Sequence, residues 1–243
     1  MKFHDFYIAM SDLRLFDLAT VLERTDGRVN GGQNPVTKEL YRWRRMGRVR
    51  NWRRELYSVS ENHGGPKIHP LELAVRVQPP AYISLTTALE WHGALEPRDG
   101  LWTGPTTVRS TSPGGRLGAS QAAQLIATLD PPGTVVVVGA RYAMSFQNEL
   151  GSFRYRQIHP RLFWGFSQEL VGEVEVPIAL PHKALVDLWH LTRGRWTPQV
   201  YEALQLNTTV IDRRSLAAVA QMHGLTPRVR VAYANFENYV GTR

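Results

Sequence analysis

The sequence predicts an α+β protein of two domains: a small helical one closed by a β-hairpin, then a larger mixed α/β one with a helical C-terminal end. Three observations carry that expectation. Apolar residues recur at helical spacing twice before Gly47 and at strand spacing soon after it. The run Glu61-Asn62-His63-Gly64-Gly65-Pro66 breaks any regular element. Beyond it, helix-like and strand-like segments alternate until about residue 199, after which only helical stretches follow. At 243 residues and 43% hydrophobic content the chain is long and apolar enough for two modest cores.

In the first domain, Leu13, Phe16, Leu18, Ala19, Val21 and Leu22 fit a packing helix that Gly27 ends. Thr25 to Asn34 is rich in Gly and Asn, so a middle helix there is very short or replaced by a turn. Asn34 fits an N-cap, Pro35 the first helical position and Gly47 the left-handed C′ position of the next helix. At 100° per residue, Val36, Leu40 and Trp43 share one stripe, which should be buried. Lys38, Tyr41, Arg42 and Arg45 stand opposite, with Thr37 and Arg44 on the flank. Val49 and Leu56-Tyr57-Ser58-Val59 are strand-like, with Asn51 to Arg54 as the turn and Arg50, Arg53 and Arg54 at its tip.

From Lys38 to Arg54 eight basic residues thus face one acid, Glu39. A helix apolar on one side and cationic on the other suits a DNA major groove, whose phosphate walls attract Arg and Lys. Helix, helix and two-stranded wing make the winged form of helix-turn-helix, over residues 1–62. Lys38, Tyr41, Arg42 and Arg45 are expected to face the groove. Arg44, Arg48, Arg50, Arg53 and Arg54 are expected to hold phosphates. Trp43 is expected inside, and Trp52 exposed on the wing.

The second domain, 67–243, opens with a helix-like Pro70 to Val77, then Tyr82-Ile83-Ser84 leading into a helix from Leu85 to His92 that Gly93 closes. Strand candidates are Thr106 to Ser110, Thr134 to Val138, Phe153 to Ile158 and Glu173 to Ala179. Helix candidates are Ala119 to Leu129, Lys183 to Leu191, Gln199 to Leu206, Arg213 to His223 and Pro227 to Tyr239.

Charge and composition narrow the function. A net charge of +8 and a pI near 10.0 favour an anionic partner. The absence of cysteine removes disulfides, thiolate-held zinc and thiol nucleophiles. Acid at Asp5 comes too early for a signal peptide, and no apolar run reaches about 18 residues. The expectation is a cytoplasmic protein with no membrane partner. The eight histidines are scattered, with no metal-binding spacing, so neither metal nor cofactor is expected. Ser112-Pro113-Gly114-Gly115-Arg116-Leu117-Gly118 lacks the Gly-Lys-Ser/Thr of a phosphate loop and reads as a mobile loop. Lys183 and Asp187, four apart on a helix, read as an ordinary ion pair of roughly 0.2–0.5 kcal/mol. Glu173 and Glu175, taken as one face of a strand with Lys183 later, are the nearest approach to a nuclease metal site. No catalytic residue is assigned.

Taken together these segments resemble the AbiEi-type antitoxins of bacterial abortive-infection systems, from about Leu13 to Tyr239. In the first domain the matching pieces are Gly47-Arg48-Val49 and Arg53-Arg54-Glu55-Leu56-Tyr57. In the second they are Ala81-Tyr82-Ile83-Ser84-Leu85 with Ala88-Leu89 and His92-Gly93, then Ile158-His159-Pro160-Arg161-Leu162-Phe163 with Gly165. Ile178 to Leu188, including Lys183 and Asp187, and Ser215-Leu216-Ala217 through Pro227-Arg228-Val229 complete the set. Ser84, His92, Lys183 and Asp187 carry no assigned role. Glu55 stands where the family usually has Gly, and His182 where it usually has Glu.

The resemblance implies an N-terminal domain that binds double-stranded operator DNA and represses its own operon. It also implies a C-terminal domain that counters a nucleotidyltransferase-like toxin, a functional partner that need not be a physical one. The alternatives are a plain winged-helix regulator with a ligand-sensing or dimerising second domain, and a metal-dependent nuclease targeted by its basic head.

Overall fold

The computed structural model of the chain describes residues 1–25, 35–96, 133–139, 141–222, 224 and 226–242. The expected strand at Thr106 to Ser110, the helix at Ala119 to Leu129, the Ser112 to Gly118 loop and the cap at Asn34 lie outside the described residues. The protein is mixed α+β, with a three-stranded and a six-stranded sheet. It divides into two compact units, Met1–Val77 and Gln78–Arg243, one helix later than the break at Ser60 to Lys67.

The first unit begins with helix α1, Phe3–Met10, which the sequence reading did not anticipate. Its apolar face repeats at Phe3, Phe6 and Met10, and Phe6 and Met10 are completely buried. The segment expected as one helix from Leu13 is instead strand β1, Phe16–Asp17, and helix α2, Leu18–Arg24. Asp17 forces the change. Its carboxylate accepts from the Thr20 N–H at 2.8 Å and the Thr20 hydroxyl at 2.7 Å, an N-cap that starts the helix there. The missing middle helix is therefore α2, and α1 is the first.

Helix α3, Pro35–Arg45, is followed by β2, Val49–Arg53, and β3, Leu56–Val59. The sheet is antiparallel in the order β1-β3-β2, with Phe16 opposite Tyr57 and Val49 opposite Val59. This succession of three helices and three strands is winged-helix connectivity. The core joins Phe6, Met10, Phe16, Val21, Val36, Leu40, Trp43, Val49 and Val59. The Trp43 ring lies 4.7 Å from Phe6 and 5.5 Å from Phe3, so one side chain ties α3 to α1. Helix α4, Pro70–Val77, is tied back by Arg14, whose Nε donates to the buried Glu72 carboxylate at 2.8 Å.

The second unit is built on a six-stranded sheet in the order β6-β7-β5-β4-β9-β8. The strands are β4, Ala81–Ile83; β5, Thr134–Gly139; β6, Met144–Asn148; β7, Gly151–Gln157; β8, Phe166–Val171; and β9, Val174–Ala179. Central β5 is buried along its whole length, as its unbroken valine run requires, and pairs parallel to β7 and antiparallel to β4. The outer strands β6 and β8 were not anticipated. Strand β6 alternates half-buried and exposed residues throughout, as a strand covered on one face does, while β8 alternates only in its second half. Helix α5, Leu85–Trp91, follows β4, and Gly93 closes it with φ +71°. Helix α6, Pro181–Leu191, follows β9. The C-terminal helices are α7, Pro198–Ala203, α8, Arg213–Met222, and α9, Pro227–Gly241; Tyr201 of α7 packs on Phe236 and Tyr239 of α9, and its hydroxyl donates to the Ala232 carbonyl at 2.9 Å. Among the described residues no helix is long and apolar enough to cross a membrane.

Candidate nucleic-acid interface

Helix α3 has two faces. Val36, Leu40 and Trp43 are buried, as expected. Thr37, Lys38, Tyr41, Arg42, Arg44 and Arg45 are exposed. The separation follows from 3.6-residue periodicity alone, since the inward and outward sets lie half a turn apart. The helix ends in a Schellman motif, the Arg48 N–H donating to the Trp43 carbonyl at 2.9 Å and the Gly47 N–H to the Arg44 carbonyl at 3.0 Å. Gly47 takes φ +68°, the conformation expected for it.

The cations divide by freedom. Among the described residues no carboxylate pairs with Lys38, Arg44 or Arg45. Arg42 is 59% exposed and its Nη2 lies 2.6 Å from Glu39, a charge contact rather than an aligned hydrogen bond. An ion pair this exposed contributes about 0–1 kcal/mol, so it biases the Arg42 side chain without locking it. Beyond the helix, the Arg48 guanidinium sits over the Phe3 ring at 5.1 Å and that of Arg50 over the Trp52 ring at 5.6 Å. Those two are held in place, half-buried at the base of the wing.

The wing differs from expectation. Strand β2 continues through Asn51 to Arg53, and the turn is only Arg54-Glu55. A shift of register between Asn51 and Arg53 accommodates it, and the Asn51 amide donates to the Leu56 carbonyl at 3.2 Å. Trp52 is not exposed. It is 6% accessible and its indole N–H donates to the Ser58 hydroxyl at 3.0 Å. At the tip, Arg54 is 91% exposed, while Arg53 is half-buried. Glu55 adopts φ +60°, the left-handed region, although it is not glycine.

In the second unit Ser84, Lys183 and Asp187 come together, and Tyr82 joins them. Asp187 accepts from the Tyr82 hydroxyl at 2.9 Å, the Ser84 hydroxyl at 2.9 Å and the Lys183 ammonium, which also donates to the Tyr82 oxygen at 3.1 Å. Lys183 and Asp187 are both 0% exposed, which corrects the expectation of an ordinary surface ion pair. Burial pulls the Lys183 ammonium below its ordinary value, and the Asp187 carboxylate opposes that pull. The rings of Tyr82 and Trp164 lie 5.5 and 5.3 Å from the ammonium. Gly165 makes room for the lysine stem: a Cβ there would fall 2.9 Å from Lys183 Cγ. The network is buried: Ser84, Lys183 and Asp187 are each 0% exposed. Spacing revealed the Lys183–Asp187 pair, but nothing local in sequence marked Tyr82, Trp164 or Gly165 as its partners.

His92 stands apart, its Nε2 hydrogen-bonded to the Ala179 carbonyl at 2.9 Å. Glu173 lies in the β8–β9 turn and only Glu175 in the strand, so the two do not share a strand face as supposed. Among the described residues no group of three His, Asp or Glu could hold a metal ion. No protein-family model matches the chain, and no curated protein matches it significantly.

Proposed function

We propose that this chain is a DNA-binding antitoxin that represses its own operon and counters a nucleotidyltransferase-like toxin. The observation that supports it is α3: a two-faced helix whose cationic side is open while its apolar side is locked to α1 by Trp43. Lys38, Tyr41, Arg42 and Arg45 enter the major groove, and Arg44, Arg48, Arg50, Arg53 and Arg54 hold the backbone. The antitoxin part rests on the resemblance set out above, and the protein acts in the cytoplasm. A mobility-shift titration with the duplex upstream of its own coding sequence tests the first part. Specific retardation over unrelated DNA is expected, and equal, weak binding to both would reject autorepression. Co-expression with the neighbouring gene tests the second. Rescue of growth is expected, whereas a neighbour harmless on its own would leave a plain regulator.

A further inference from the structure

Two apolar side chains interrupt the cationic face of α3. Tyr41 is 61% exposed and Met46 53% exposed, among the largest apolar exposures of the first unit. With Arg42 and Arg45 they line one open hollow of about 360 Å³. Single exposed apolar residues need no explanation, but two sharing one hollow with two arginines are a composed surface. The guanidinium groups suit phosphates and guanine edges. The tyrosine ring and the thioether suit neither.

Resting on the DNA-binding reading above, we infer that Tyr41 and Met46 form an apolar seat for a thymine methyl group, so that α3 selects an A·T pair at its C-terminal end. The 5-methyl of thymine is the one apolar group that base pairs display in the major groove. An RNA duplex offers neither that methyl nor a groove wide enough for a helix. The arginines alone would favour guanine, so the hollow accounts for discrimination that charge cannot supply.

The test starts from the tightest duplex selected by the protein from a random pool. Each thymine is replaced in turn by deoxyuridine, which removes only the methyl. The wild-type protein should lose about four-fold in affinity at one or two positions, the worth of burying one methyl group. Tyr41→Ala should bind those uracil and thymine duplexes equally, while Tyr41→Phe keeps the preference. Near-UV circular dichroism confirms that the variants fold. Indifference of the wild type to every replacement, or undiminished methyl preference in Tyr41→Ala, overturns the inference. A wild-type protein that selects no duplex at all overturns the DNA-binding reading with it.

Discussion

Replacing Lys183 by Met would strip the ammonium from a carboxylate that water cannot reach. Asp187 would keep two hydroxyl donors, Tyr82 and Ser84, but lose the ammonium that pairs with it. Breaking a buried ion pair from one side costs about 3–5 kcal/mol, because an uncompensated charge remains. Asp187→Leu takes the carboxylate away from the buried ammonium and should cost a similar amount. Summed independently, the two changes would approach about 6–10 kcal/mol, enough to unfold most domains. The double variant Lys183→Met/Asp187→Leu removes both charges. Its remaining defect is two hydroxyls without their acceptor, about 1–3 kcal/mol each. It should therefore be about as stable as either single variant, a coupling of about 3 kcal/mol. Urea unfolding of the full chain, followed by tryptophan fluorescence, measures this; Trp164 lies 5.3 Å from the ammonium and reports on the unit concerned. A loss below about 1 kcal/mol for Lys183→Met, typical of a surface pair, would refute the reasoning. Simple additivity in the double variant would refute it too.

Gly165→Ala should cost the same unit about 2–3 kcal/mol in urea unfolding, since Gly165 has φ +80° and its new Cβ would press on the Lys183 stem; an unchanged midpoint would contradict the packing described. Glu55→Gly should stabilise the first unit by up to about 1 kcal/mol, because glycine relieves a left-handed residue at φ +60° against its own entropy cost. A lower unfolding midpoint for that variant would show that the wing turn carries no such strain. Stability should also fall on acidification. Burial holds His92 and His182 below the ordinary imidazole value of 6.5; the Asp212 charge opposes this at His182 and the neighbouring His92 adds to it. The unfolded chain therefore binds protons first, so this stability is complete above about pH 6.5 and is lost as pH falls from there through the lower folded-state values. A urea midpoint that rises between pH 7.5 and 5.5 would reverse the sign.

The cationic helix was legible because its evidence is local. A proline start, three apolar residues on one stripe and a glycine stop all lie within thirteen residues, and each has one physical meaning. Helix α1 was overlooked although Phe3, Phe6 and Met10 are correctly spaced, because eight residues offer little periodicity. Leu13 to Leu22 looked helical throughout, yet Asp17 caps a helix in its middle. Composition hinted at none of the pairing between Phe16 and Tyr57, which is a long-range contact. Trp52 shows the same limit: an aromatic in a basic hairpin reads as exposed until its indole N–H finds Ser58 across the sheet. In the second unit, i, i+4 spacing showed that Lys183 and Asp187 touch. Their burial depends on Tyr82, more than a hundred residues earlier, and on a glycine that leaves room for the lysine stem.

The central claim, that the open face of α3 binds duplex DNA, is tested most directly by the salt dependence of binding. Affinity for the selected duplex is measured between 50 and 300 mM salt, values set by the steepness expected of about 5 to 7 phosphate contacts. The logarithmic slope should be about −4 to −6, and Arg44→Ala should make it shallower by about 1. Arg45→Ala should weaken binding by roughly 1–3 kcal/mol. Arg42→Ala should lie toward the lower end of that range, because Glu39 already competes for its charge. A slope near zero, or one indifferent to loss of these arginines, would place the nucleic-acid contact elsewhere or nowhere on this face.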